Sequence, residues 1–170
     1  MFKNILILNT GGTFNKIYSQ TNGILNVPAN SNAVECILND IYKENTKPNV
    51  FTMISKDSLE IKKKHRKKLV KKIKSSKEEK IIIIHGTDTM NKTAKFLNEN
   101  IKNKTIVLTG SMQPFSLSQI EPTGNLLMAL GYIQNKNKNG IYICMNGIVD
   151  NFKKIKKDYK KAVFKRVENE

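Results

Sequence analysis

Short, nearly continuous apolar runs alternate along this chain with longer stretches in which apolar positions recur at helical spacing. Ile5 to Leu8, Val50 to Ile54, Ile81 to Ile84, Thr105 to Leu108 and Ile141 to Met145 predict strands. Several have no polar position at all, the pattern of strands covered on both faces. Between them, Asn32 to Lys43, Lys62 to Lys74, Asn91 to Asn100 and Gly124 to Gln134 predict helices. Strict alternation of strand and helix predicts the α/β class: a doubly wound, mostly parallel sheet of about five or more strands with helices on both faces. No repeat or Gly/Ser/Pro-rich linker interrupts the pattern, so one domain over residues 1 to 170 is expected.

A net charge of +16 raises the question of a nucleic-acid partner. The positive charge is nearly all lysine. Arginine, which reads phosphates and bases with two donors at once, occurs only at Arg66 and Arg166, and aromatics are not interleaved with the basic runs. In KKKHRKKLVKKIKSSKEEK, Leu69, Val70 and Ile73 can face the sheet while the lysines keep their heads in water. His65, among those lysines, reads as a surface residue. A nucleic-acid partner is therefore disfavoured, although the field suits small anions. Cys36 and Cys144 show no CxxC or Cys/His spacing and read as buried free thiols of a reducing compartment. The apolar stretch near the N-terminus is too short for a secretion signal. No run approaches the roughly 20 apolar residues of a membrane span, so a cytoplasmic protein without a membrane partner is expected.

Ligands of doubly wound sheets bind beyond the carboxyl ends of the strands, near the point where strand order reverses. Here every strand end is polar or glycine-rich. Asn9-Thr10-Gly11-Gly12-Thr13 follows the first strand, Ser55-Lys56-Asp57-Ser58 the second, and His85-Gly86-Thr87-Asp88 the third. Thr109-Gly110-Ser111-Met112 and Asn146-Gly147 follow the fourth and fifth. A threonine hydroxyl becomes a nucleophile only when a neighbouring base takes its proton, and a desolvated lysine can be that base. Glycines let backbone N–H groups approach an oxyanion. These are the parts of an amide hydrolase. Taken singly, each turn reads equally well as a β-to-α connection, with Thr13, Asp88 or Thr89 capping a helix. Their joint appearance after successive strands is what capping leaves unexplained.

TGGT at 10–13, HGTDTM at 85–90 and TGSMQP at 109–114 resemble the bacterial-type L-asparaginase family over most of the chain. TGGTxxKxY, Thr10 to Tyr18, and KDSLE, Lys56 to Glu60, are similar to its short-chain, single-domain members, which lack the C-terminal domain. The resemblance implies hydrolysis of L-asparagine to L-aspartate and ammonia without metal or cofactor, with L-glutamine as an additional substrate. It implies Thr13 as the nucleophile with Tyr18, on a lid-like loop, assisting; Thr87 as the second essential threonine; and Asp88 as the carboxylate for the substrate's α-ammonium group. Ser55 or Ser58 would meet the α-carboxylate, strand-end position favouring Ser55. Gly12, Thr87 and Ser111 would lie near the oxyanion and amide. Which threonine attacks first stays open. Among the six lysines of FKKIKKDYKK, the family's spacing, an apolar residue two before the lysine and an aromatic seven after, selects Lys157, with Ile155 and Phe164 as those neighbours. His85 gains no catalytic partner and reads as structural. Two departures stand out: GSM replaces GAM, and Glu121 stands four residues before Asn125 where relatives carry Asp. A homo-oligomer, at least a dimer, is expected. Two other readings of the same turns are an amidase or amidotransferase component acting on another amide, and a basic binding protein on this scaffold.

Overall fold

The computed structural model describes residues 4–43, 46–136 and 138–167. The expected domain limits at residues 1 and 170 lie outside them. β1 (Ile5–Gly11) leads through a small hairpin, β2 (Ile17–Ser19) and β3 (Ile24–Asn26), into α1 (Ala33–Ile41) and β4 (Asn49–Lys56). Then follow α2 (Lys63–Ser75), β5 (Lys80–Ile84), α3 (Met90–Asn100), β6 (Thr105–Thr109), α4 (Ile120–Asn135) and β7 (Gly140–Met145). β8 (Ile148–Asn151) closes the main sheet, and β9 (Ile155–Asp158) with β10 (Val163–Arg166) forms a separate antiparallel ribbon.

The main sheet has six strands in the order β4-β1-β5-β6-β7-β8, all neighbours parallel except β7 and β8. All five predicted strands and four predicted helices are present. Strand order reverses between β1 and β5, because β4 lies on one side of β1 and every later strand on the other. This is the crevice where such sheets take ligands.

Alternation within the buried strands divides the core between two faces. Ile81 and Ile83 point with Leu6, Leu8, Ile106 and Leu108 toward α2 and α3, where Leu69, Ile73, Ala94 and Leu97 meet them. Ile82 and Ile84 point with Ile5, Ile7 and Val107 toward α1 and α4, where Val34, Leu38, Leu126 and Leu130 close the other layer. The four isoleucines of β5 are all fully buried. This double cover holds the end of β5 rigidly.

α4 begins at Ile120, four residues before the predicted Gly124. Pro122 falls in its first turn, where no intrahelical N–H bond is lost, so a residue that reads as a breaker is accommodated. β8 pairs back on β7 through Asn146 and Gly147, both at positive φ (50° and 79°), the requirement of a two-residue hairpin turn. β9 and β10 escape the apolar pattern because each strand is only four residues long and carries one buried residue, Ile155 and Phe164. Too few positions repeat to show a period.

The cysteines differ from the expectation of two buried thiols. Cys144 in β7 is fully buried, whereas Cys36 on α1 is half-exposed. Burial pushes the Cys144 thiol up to about 12. Because the thiolate is the reactive form, native protein treated with a thiol-specific reagent near neutral pH should modify at Cys36 alone. Cys144 should react only after denaturation, which peptide mapping of the labelled protein would check.

Candidate active site

The site is built on two glycine turns that touch. Gly11 and Gly12 end β1 with φ of 95° and 78°, and the Gly12 N–H donates to Lys56 O at 2.9 Å. A β-carbon on Gly12 would stand 2.4 Å from the Cα and N of Gly86. No other residue type tolerates both that φ and that approach. One step beyond each glycine stands a threonine, Thr13 and Thr87. Thr10, the first threonine of TGGT, is occupied with architecture: its hydroxyl donates to Ile84 O at 2.7 Å, stapling β1 to β5. Asn9 and Asn15 hold the Gly11–Thr13 turn from below through reciprocal amide bonds of 2.8 and 2.9 Å.

Thr13 opens a short 3-10 turn, half-buried, its hydroxyl without a partner among the described residues. Thr87 is buried at 5% exposure, and Lys157 Nζ donates to its Oγ1 at 2.9 Å. The same ammonium meets Asp88 Oδ1 at 2.5 Å. The lysine side chain is only 9% exposed. The ribbon aims it there: β9 places Lys157 opposite Phe164 of β10, and Asn91 on α3 donates to Ile155 O at 2.6 Å. Tyr159, two residues beyond Lys157, donates its phenol to Asp88 O at 2.9 Å, and the lysine ammonium lies 5.2 Å from its ring centre. Sequence reasoning passed over Tyr159; its spacing of two from Lys157 in extended chain was the available signal.

The two candidate serines part company. Ser55 Oγ donates to Ala29 O at 3.2 Å. Ser58 is 1% exposed, and its Oγ is buried without any hydrogen-bond partner among the described residues. It sits directly over Gly86, where an added β-carbon would lie 2.9 Å from that oxygen. The turn carrying Ser58 is formed by Asp57, whose carboxylate accepts from Leu59 N and pairs with Lys16 at 2.7 Å. Burial pushes the Asp57 carboxyl up, but the Lys16 bond, the Leu59 N–H and the nearby charge of Lys157 together hold it below its ordinary value.

Three further expectations are placed as follows. Ser111 is buried, and its hydroxyl donates to Gln113 O within its own turn. That turn is held by Glu121, which accepts from Met112 N and Gln113 N at 3.0 Å each, so the longer carboxylate still reaches the loop. Tyr18 lies on the β2–β3 hairpin, 56% exposed, its hydroxyl over Gly23 across the hairpin rather than bonded at the site. The capping alternative finds no support: Thr89 precedes α3 without a side-chain capping bond and donates instead to Ser58 O at 2.8 Å, while Asp88 pairs with Lys157.

Residues 4–163 match the family described as Asparaginase, N-terminal. The chain belongs to the asparaginase family. It is 31% identical over 134 residues to L-asparaginase 2 of Bacillus subtilis (strain 168), covering 75% of this chain and 36% of that protein. A shorter match, 42% identical over 69 residues, covers 39% of this chain and 21% of the glutaminase-asparaginase of Acinetobacter glutaminasificans. The fold is similar to that of the thermostable L-asparaginase from Thermococcus kodakarensis, with TM-score 0.82 and 24% identity over 98% of this chain and 52% of that one. A probable cytoplasmic L-asparaginase from Campylobacter jejuni gives 0.77 and 25%, over 95% and 52%. This asparaginase-family chain thus spans about half the length of those two structures and about a third of the Bacillus protein. Among its described residues no helix is long and apolar enough to cross a membrane.

His85, between β5 and Gly86, is 1% exposed and hydrogen-bonded on both ring nitrogens, to Gly86 O at 2.8 Å and Thr93 Oγ1 at 2.9 Å. Burial is the main cause that lowers its pKa from 6.5 to about 4. The native ring stays neutral where the unfolded chain takes up a proton, so the unfolded state binds more protons between those two values. Stability at this residue is therefore full above pH 6.5 and declines as pH falls toward 4. Going from pH 8 to pH 5 should cost about 2 kcal/mol. Urea unfolding at the two pH values would read this loss, and His85→Asn should flatten the pH dependence.

Proposed function

We propose that this chain carries an amidohydrolase site that converts L-asparagine to L-aspartate and ammonia through a threonine acyl-enzyme. The observation that supports it most is the placement of Lys157, whose ammonium bridges Thr87 and Asp88 on the β5 turn while Thr13 stands unpartnered on the turn that touches it. Thr13 attacks the side-chain amide carbon, with Tyr18 relaying the hydroxyl proton to the amide nitrogen when the β2–β3 hairpin folds over the crevice, so that the C–N bond breaks and ammonia leaves as the ester forms. Gly12, Thr87 and the Ser111 turn flank the developing oxyanion. Asp88 receives the substrate's α-ammonium group. That group competes with Lys157 for the carboxylate, and the displaced lysine exchanges a proton with Thr87 through their existing bond, which lets Thr87 direct water at the acyl-enzyme.

Ser58 is the carboxylate-binding serine in this reading, because its buried hydroxyl lacks a partner while that of Ser55 has one. A buried, unmade hydrogen bond costs about 1–3 kcal/mol, which an arriving carboxylate oxygen recovers. L-Glutamine is a slower substrate, since one methylene changes discrimination by only about 1 to 3 kcal/mol. A homo-oligomer is supported by Leu59, Leu117 and Tyr159, exposed by 72%, 65% and 68% on loops that flank the crevice.

Ammonia release from L-asparagine tests the proposal. Thr13→Ala, Thr87→Ala and Lys157→Met should each lower kcat by about a thousandfold or more. Ser58→Ala should raise KM by about tenfold, and Ser55→Ala much less. Turnover that survives the two threonine substitutions unchanged would sink this reading.

A further inference from the structure

Arg66 lies on the inward stripe of α2 with Leu69 and Ile73, where an apolar side chain would pack without bringing a charge into the core. It is 4% exposed, and among the described residues no carboxylate pairs with it. Burying an unpaired charge costs several kcal/mol unless its donors are well satisfied. Here they are directed to three separate segments. Nε donates to Thr93 Oγ1 at 2.9 Å, Nη1 to Ile61 O at 2.7 Å, and Nη2 to Thr89 Oγ1 at 3.3 Å.

A guanidinium only donates, so it orders every hydroxyl beyond it. Thr89, receiving from Arg66, donates onward to Ser58 O at 2.8 Å. Thr93, receiving from Nε, donates to His85 Nε2, which leaves the neutral ring's proton on Nδ1 to donate to Gly86 O. Two hydrogen-bond chains therefore leave one charged group. The first ends on the carbonyl of Ser58, the second on the carbonyl that precedes Thr87.

We infer that Arg66 is a positioning residue for this site: its three-way hydrogen bonding fixes the turn that presents Ser58 against the turn that presents Thr87 and Asp88. It thereby sets the separation between the place where a substrate carboxylate is held and the place where the amide is attacked. The inference rests on the amidohydrolase reading for its kinetic consequence but not for its structural one.

Arg66→Met keeps the long apolar stem and removes the donors. It should raise KM for L-asparagine about tenfold and lower kcat by a smaller factor, because Lys157 still bonds Thr87 and Asp88 directly. Arg66→Lys, which keeps the charge without the planar fork, should recover only part of the loss. If Arg66 acts through Ser58, adding Ser58→Ala to Arg66→Met should raise KM no further than the worse single variant. Multiplying effects, or an unchanged KM in Arg66→Met, would overturn the inference. Should Arg66→Met fail to fold, Thr89→Val cuts only the Ser58 branch and should raise KM in the same direction; an unchanged KM there would count against it equally. Amide exchange gives a readout free of turnover. The Ile61 N–H, bonded to Ser58 O, should exchange about tenfold faster in Arg66→Met while Ile82 and Val107 in the sheet do not change. Exchange that rises equally everywhere, or not at Ile61, would refute positioning. Absence of turnover in the unaltered protein would remove the amidohydrolase reading and leave amide exchange to decide the role of Arg66.

Discussion

The contact between Gly12 and Gly86 is the constraint on which the remainder of the site depends. Parallel strands β1 and β5 are neighbours at the reversal of strand order, so the chain leaves them in opposite directions, α1 toward one face and α3 toward the other. Only where the two exits lack side chains can they meet backbone to backbone. That meeting brings Thr13 and Thr87 onto adjoining turns and leaves a narrow space over Gly86 for the Ser58 hydroxyl. A methyl group at Gly12 would part the threonines, and one at Gly86 would press against Ser58.

Around this contact, polar side chains act in two layers. Below the turns, Thr10, Asn9, Asn15, His85, Thr93 and Arg66 are buried and committed to fixed partners. Above them, the hydroxyls of Thr13 and Ser58 have no partner among the described residues, and Asp88 keeps a partly exposed carboxylate beside Lys157. A site of this kind owes its geometry to groups that never touch a ligand. His85 illustrates the division: it stands two residues before Thr87, yet both its nitrogens are already engaged in holding the turn.

Much of this was legible in the amino-acid sequence because it is local. Five apolar runs identified five strands, and the small residues that follow them marked the crevice. Lys157 was singled out by the pattern that the family resemblance supplied, and the aromatic of that pattern, Phe164, faces it across the ribbon. What escaped was set by distant pairing. Nothing in KDSLE shows that Ser58, and not Ser55, lies over Gly86; that follows from the turn made by Asp57 after β4 ends. The role of Arg66 was equally hidden. In a run dominated by lysine it looks like one more solvated charge, and only the sheet-facing stripe of α2 shows otherwise.

The ribbon that delivers Lys157 is not hydrogen-bonded into the main sheet. It is pinned by the Asn91 amide, by buried Ile155 and Phe164, by the Phe164 N–H on Asn146 Oδ1, by Arg166 on Asp150, by the Tyr159 phenol on Asp88 O and by the lysine's own bonds to Thr87 and Asp88. Every one of these attachments runs through a side chain, so the position of Lys157 is set by tertiary contacts and not by a shared strand ladder.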